Sequence, residues 1–263
     1  MNVYLSSFKM KLKRIILVGL QSLIILLAMI SIFSLAFSAI SVGSKWTIIA
    51  YYITQSGGIV GTFLGIVIAC YLYTINETGL RNKAFVFGKA IIGLALVIAT
   101  FAAINEKYTK PILKLKRPSH VYILNQLKNT QLIDSLYALS KAERIAYFDS
   151  KIKEQPLLFK QIDPQVLSHW IVEGGYSFPS GHTFNAFLLA MIFSFGIRHN
   201  SHSKNLQGLY FLPFVWAIAI GISRVALGAH TWIDVSAGAA LGIGIGALLL
   251  YLDFTRHWVT HKH

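Results

Sequence analysis

From position 230 the chain reads His230-Thr231-Trp232-Ile233-Asp234, then VSAGAALGIGIGALLLYL from Val235 to Leu252, a run without a single charge. The run is close to the roughly 20 apolar residues that a helix needs to cross a hydrocarbon layer about 30 Å thick. Gly238, Gly242 and Gly246 recur at four-residue spacing. That puts three glycines on one helix face, where a neighbouring helix can approach closely. Asp234 stands at the mouth of the run, where an ionisable group is costly and marks a functional candidate.

Outward from this segment the same pattern recurs. Apolar runs cover Ile15–Ala39, Thr47–Ile75 (with Gly57 and Gly58 inside it), Phe85–Ile104, Thr183–Ile197 and Leu209–Leu227. With Val235–Leu252 they predict an all-α polytopic membrane protein of six transmembrane helices. Composition agrees: 55% of the 263 residues are hydrophobic and 13% charged, with a mean hydropathy of +0.58. Soluble domains carry about 25% charged residues, so a soluble globule is excluded, and a chain this apolar is not disordered. Cys70, the one cysteine, lies in an apolar run, which excludes a disulfide framework and a cysteine metal site.

The net charge of +14 comes from 24 basic and 10 acidic residues. In a membrane chain such an excess points to phosphate headgroups, as surface or as substrate, and away from nucleic acid. The basic clusters also orient the chain. Lys9, Lys11, Lys13 and Arg14 precede the first span, Arg81 and Lys83 the third, Arg198 and Lys204 the fifth, and Arg256 and Lys262 follow the sixth. The positive-inside rule puts all four on the cytoplasmic face. The Ala36–Ser38 stretch is a passable cleavage site. The apolar run before it exceeds the core of about 7–15 residues of a signal peptide, so an uncleaved first helix is expected.

Three segments follow: 1–104 with transmembrane helices 1–3, 105–178 as an extracytoplasmic helical insertion, and 179–263 with transmembrane helices 4–6 and a cytoplasmic tail. The insertion holds 11 basic residues and seven of the ten acids; loops beyond about 60 residues are largely exempt from the charge rule. Ser140-Lys141-Ala142-Glu143 reads as a capping box opening a helix through Ile145 and Phe148. Trp170 reads as an interfacial aromatic anchor, and His169 as a residue that could line a substrate entrance. His257, His261 and His263 read as a cytoplasmic tail, and Lys89 as a snorkelling lysine.

Three clusters carry the chemistry. His230 and Asp234 share a face at helical spacing, with Ser223 and Arg224 just before them. A carboxylate there can hold an imidazole by one nitrogen and leave the other free. A helix-cap Asp beside an incidental His is the structural alternative. Pro179-Ser180-Gly181-His182 opens the fourth span, with Ser180 as N-cap and Gly181 leaving amides open to phosphate oxygens; a simple turn is its alternative. Lys110, Arg117 and Pro118 follow the third span, where pairing with anionic lipid is the alternative. The orientation above places all three clusters on the outer face. Together they supply cations, a nucleophile and a proton donor, which phosphoryl transfer requires.

The three clusters resemble the signature of the type-2 phosphatidic acid phosphatases. The chain reads Lys110-PILKLK-Arg117-Pro118, Pro179-Ser180-Gly181-His182 and Ser223-Arg224-VALGA-His230-TWI-Asp234, in the family's order. The stretch from Ser168-His169-Trp170 through Gly175-Tyr176-Ser177-Phe178-Pro179 is similar to the bacterial phosphatidylglycerophosphatase B and undecaprenyl pyrophosphate phosphatase branch. The resemblance implies a lipid phosphatase in the plasma (inner) membrane, working without cofactor or metal on the extracytoplasmic face. It implies that His230 forms a phosphohistidine, Asp234 orients it, and His182 protonates the leaving oxygen and then activates water. It gives Lys110, Arg117, Arg224, Ser180 and Gly181 the phosphate. One carboxylate near the site is also too few for a magnesium cage. A phosphotransferase of the same chemistry and a non-catalytic lipid transporter are the alternatives. The related vanadate haloperoxidases are soluble, which six spans argue against.

Overall fold

The computed structural model describes residues 2–36, 45–200 and 204–252. The tail with Arg256, His257, His261, Lys262 and His263, the acid Asp253 and the end of the candidate cleavage site at Ser38 lie outside the described residues. Among the described residues every regular element is helical. The first is α1 (Asn2–Ala36), followed by α2 (Lys45–Ser56), α3 (Ile59–Thr74) and α4 (Leu80–Ile104). A π turn over Asn105–Thr109 carries α4 straight into α5 (Lys110–Leu113). Then come α6 (Pro118–Gln126), α7 (Ile133–Ala138), α8 (Lys141–Glu154) and α9 (Pro164–Val172). The chain ends with α10 (Gly181–Asn200), α11 (Lys204–Gly208), α12 (Leu212–Ala226) and α13 (Trp232–Tyr251).

The chain is a multi-pass helical membrane protein. Four segments are long and apolar enough to cross a bilayer: Phe8–Ile32, Leu80–Leu113, Asn205–Ala226 and Trp232–Tyr251. The pair α2 and α3 makes a fifth if its halves count as one span. The sequence predicts one continuous helix there, and the structure corrects this: the halves meet at 46°. Gly57 and Gly58 are the cause, since such pairs are common sites of sharp kinks. A Cβ on Gly57 would lie 2.8 Å from Ile220 Cδ1, so the break also lets α2 close on α12. The sixth expected run, Thr183–Ile197, forms the body of α10. Its ends carry His182, Asn185, Arg198 and His199, so composition alone does not set it beside the others.

Burial distinguishes these helices. Ile24, Ile32, Ile59, Ile92 and Leu96 point outward from α1, α3 and α4, as lipid-facing side chains do. Helix α10 is instead buried on nearly every side, at Phe184 and from Ala186 through Met191. It packs most closely on α13, and the three glycines explain how. A Cβ on Gly238 would stand 2.5 Å from Ser180 O, on Gly242 2.6 Å from Phe184 O, and on Gly246 2.7 Å from Met191 Cβ. Backbone therefore lies on backbone, and the N-termini of α10 and α13 come together at one end of the bundle.

The insertion builds its own core over that end. Ile123, Leu124, Leu136, Phe148, Phe159, Val166 and Trp170 pack together with Leu227 and Ala229 of the α12–α13 loop. Trp170 is fully buried and its indole N–H donates to Leu227 O at 2.7 Å. This corrects the interfacial anchor expected from sequence: an indole with its one donor satisfied is at home in a core. The Ser140–Glu143 capping box is present at the start of α8. The helical path from α4 runs unbroken past residue 105 to Leu113.

Candidate active site

The site begins with the turn between α12 and α13. Past the end of α12 comes Gly228, whose φ of +62° suits a residue without Cβ. The amides of Ala229 and His230 then fold back onto Arg224 O at 3.1 and 3.2 Å. Thr231 caps α13: its hydroxyl accepts from the Asp234 amide, and Asp234 Oδ2 accepts from the Thr231 amide at 2.7 Å. His230 thus sits in the capping turn, and its Nδ1 lies 3.5 Å from Asp234 Oδ2. That is an ion-pair distance, looser than a formed hydrogen bond, as catalytic contacts often are without substrate. His230 Nε2 faces Arg117 Nη1 at 3.3 Å.

Arg117 comes from the other side, at the N-cap of α6. Its guanidinium is 3% exposed and is held by carbonyls: Nε donates to Gly174 O and Gly175 O, Nη2 to Gly174 O, and Nη1 to Ala229 O, all at 2.9–3.0 Å. Nη1 also pairs with Glu173 Oε2 at 3.1 Å. Arg224 enters from α12, fully buried. Its Nη1 donates to Thr54 Oγ1 of α2 at 3.2 Å and meets His169 Nε2 at 3.1 Å, while Nη2 pairs with Glu173 Oε1. One carboxylate therefore bridges both guanidiniums, and Arg117 also meets Nε2 of His230.

Ser180 Oγ accepts from the Thr183 amide at 3.4 Å and the Thr183 hydroxyl at 3.0 Å, and so caps α10. The Ser180 amide donates to Asp234 O at 3.0 Å, tying the two helix starts together. Gly181 has open space where a Cβ would stand. His182 Nε2 points at the α2–α3 break, 3.7 Å from the position of a Cβ on Gly58. Lys110 is largely buried, but its ammonium pairs with Glu106 and not with the other predicted site residues. The structure thus gathers His230, Asp234, Arg117, Arg224, Ser180, Gly181 and His182 around one end of the bundle, with Lys110 buried nearby and paired to Glu106.

The electrostatics follow from burial. Burial pushes the Glu173 carboxyl up, but Arg224 and Arg117 outweigh it, with His169 and His182 adding, and hold it well below the usual carboxylate range. Burial, then Arg117 and Arg224, push His230 below the usual imidazole range against the pull of Asp234. At neutral pH its imidazole is uncharged, and Arg117 Nη1 faces its Nε2.

Several residues of the site escape sequence reasoning. Glu173 reads as one of many solvated acids of the insertion; its only mark is the Gly174-Gly175 pair after it. Asn105, buried in the π turn, donates to Pro179 O at 3.3 Å and so braces the Pro179–His182 turn. π turns of this kind recur at functional sites. His120, fully buried, bonds Trp170 O at 2.9 Å and Tyr137 Oη at 3.0 Å, and Tyr137 Oη accepts from the Arg117 amide at 3.2 Å.

Fold and site together define a class: a helical membrane protein in which two buried guanidiniums share one carboxylate beside a histidine–aspartate pair. The PAP2 superfamily model matches residues 89–258, and the chain belongs to that superfamily. Phosphatidylglycerophosphatase B of Haemophilus influenzae is 29% identical over 203 residues, 76% of this chain and 78% of that protein. Phosphatidylglycerophosphatase B of Escherichia coli K12 is 28% identical over 155 residues, 57% of this chain and 54% of that protein. A probable lipid phosphate phosphatase 4 of Arabidopsis thaliana is 45% identical over 106 residues, 35% of this chain and 34% of that protein. The chain thus spans about half the length of the Escherichia coli relative and about a third of the Arabidopsis one.

Proposed function

We propose that this protein is an integral-membrane lipid phosphatase that hydrolyses lipid phosphate or pyrophosphate esters through a phosphohistidine. Phosphatidylglycerol phosphate, phosphatidic acid and undecaprenyl pyrophosphate are the substrates it would take. One observation carries this: two buried guanidiniums, Arg117 and Arg224, close on a single anionic group beside Nε2 of His230. A phosphate entering there replaces the Glu173 carboxylate. The clamp then also meets the extra charge that builds on the equatorial oxygens in the transition state.

In this mechanism Asp234 holds the Nδ1–H tautomer of His230, and the Nε2 lone pair attacks phosphorus. The bond from phosphorus to the leaving oxygen breaks, and that oxygen takes the proton of His182. His182 then removes a proton from water, whose oxygen attacks phosphorus and frees His230 as the P–N bond breaks. Ser180 and the Gly181 amide, at the α10 N-terminus, supply further donors to the phosphate. Lys110 reaches it by releasing Glu106. No step calls for a metal.

The protein would lie in the plasma (inner) membrane with α10 as its sixth span. The basic clusters would be cytoplasmic, and the insertion would cover an extracytoplasmic site. An apolar cavity of about 1200 Å³ between α3, α10 and α12 would take the lipid tail. It runs from Gln55, Ser56 and Trp216 at the break past Leu64 to Leu72 and Leu209. The test is phosphate release by the purified protein from a panel of lipid phosphates and pyrophosphates, with and without excess EDTA. Release from at least one lipid that EDTA leaves unchanged is expected. No release from any, or release only with added magnesium, overturns the proposal.

A further inference from the structure

Four lysine and arginine side chains are buried among the described residues: Lys110, Arg117, Arg144 and Arg224. Three of them hold a carboxylate, since Lys110 pairs with Glu106 and Glu173 serves both Arg117 and Arg224. Arg144, on α8, is 5% exposed and pairs with no carboxylate among the described residues. Its Nη1 donates to Leu139 O at 3.4 Å, and its guanidinium carbon lies 5.9 Å from the centre of the Tyr137 ring. Its Nε is buried with no hydrogen-bond partner among the described residues. A buried charge without a counter-charge is costly, and the mechanism gives Arg144 no role.

The place of Arg144 supplies one. Its Nη2 lies 3.9 Å from the position of a Cβ on Gly174, the residue after Glu173. Glu173 thus stands one residue away from a third guanidinium besides the two it holds. It sits just past the end of α9, with φ −60° and ψ 138°, and is followed by Gly174 and by Gly175 at φ +44°. Its side chain can turn at such a joint without unwinding a helix. Glu106 is no rival for Arg144. Its side chain is mostly exposed and passes to water if Lys110 leaves it, whereas that of Glu173 is largely buried.

We propose that Arg144 is the second seat of Glu173: when a phosphate enters between Arg117 and Arg224, the displaced carboxylate crosses to Arg144. The inference rests on the phosphate site proposed above and adds a positioning residue to it. No covalent bond changes. In the resting protein one carboxylate serves two guanidiniums and a third has none. With phosphate on Arg117 and Arg224 and Glu173 on Arg144, every buried guanidinium has an anion. Without that seat, phosphate entry would leave a buried carboxylate with no cation and a buried cation with no carboxylate, and each is costly. Arg144 therefore acts through Glu173, setting how tightly the clamp takes phosphate without touching it.

The direct test is the structure of the full-length protein with orthovanadate bound at the clamp. Glu173 is expected within ion-pair distance of the Arg144 guanidinium. A carboxylate still on Arg117 and Arg224, or turned out to water, overturns the exchange. Inhibition of lipid phosphate hydrolysis gives a second test. Arg144→Met keeps the length of the side chain and removes its charge. It should weaken vanadate inhibition about tenfold, and Arg144→Lys should restore most of that loss. In a Glu173→Gln background the same Arg144→Met change should have no effect, because the competing carboxylate is gone. A merely structural arginine would cost as much in both backgrounds. Equal losses, or no loss in either, overturn the proposal, while continued phosphate release keeps the phosphatase reading. Should Arg144→Met fail to fold, the vanadate-bound wild type decides alone. A wild type that vanadate does not inhibit removes the phosphate clamp, and the exchange with it.

Discussion

The two halves of the site are built by different physics. The bundle half brings His182 on α10 against His230 and Asp234 at the start of α13, and does so by close packing. Gly238, Gly242 and Gly246 let backbone touch backbone, and in a bilayer such packing replaces the missing hydrophobic drive between helices. The insertion half holds Arg117 and Glu173 by polar contacts: carbonyls of Gly174, Gly175 and Ala229 on one guanidinium, and a carboxylate shared by two. Helices in van der Waals contact have little room to move, whereas a carboxylate on a short loop can swing away. Under the proposed mechanism the comparison teaches a division of labour, in which the bundle would fix the reacting nitrogens and the insertion would govern what reaches the cations.

That division predicts unequal consequences. His182→Gln, in the bundle half, should lower kcat by about a thousandfold or more while leaving KM within a few-fold, since proton donation acts in the transition state. A collapse of KM with kcat intact would erase the distinction. Gly242→Val drives a side chain into Phe184 O and Leu188 N, where a Cβ alone would stand 2.6 and 2.9 Å away. Overpacking of this kind costs roughly 1–3 kcal/mol, and backbone cannot yield as a side chain can. The expected result is a marked fall in thermal midpoint; an unchanged midpoint would mean α10 and α13 are not held as described.

The insertion half should answer more gently. Glu173→Gln keeps a hydrogen-bonding amide but removes the negative charge that competes with phosphate. Vanadate, a phosphate mimic, should then inhibit about tenfold more tightly, or roughly 1.4 kcal/mol. Equal or weaker inhibition would show that the carboxylate is no competitor. The smallest effect concerns pH. Burial, then Arg117, pushes His120 down from 6.5 to about 3. A histidine kept neutral in the fold contributes stability that is full above about 6.5 and is lost as pH falls toward 3, because the unfolded chain takes up the proton first. His120→Gln should make the acid-side fall in stability shallower; an equally steep fall would contradict the burial of that imidazole.

The sequence was most informative where chemistry and packing leave local marks. The motif residues His182, Arg224, His230 and Asp234 and the glycine face of α13 were all readable from type and spacing. The bend between α2 and α3 was not, although Gly57 and Gly58 stood in plain view, because many membrane helices carry glycine without breaking. Glu173 was invisible for a different reason. A carboxylate in a mixed-charge loop looks solvated until folding sets two guanidiniums against it. Trp170 was misjudged in the same way, since an aromatic near a membrane end fits an interface as well as a core. His120 and Asn105 act only through contacts far along the chain, on Trp170 O and Pro179 O, and no local pattern announces such partners.

The central claim is that phosphorus passes through His230. It is tested most directly by mixing the purified protein with a lipid phosphate labelled in its terminal phosphoryl group and stopping the reaction within milliseconds. The account predicts label on the wild-type chain that is lost in acid and kept in alkali, as a phosphoramidate is, located on the peptide containing His230 and absent from His230→Ala. Wild-type protein that releases phosphate without ever carrying such label, or His230→Ala protein that still carries it, would contradict the account.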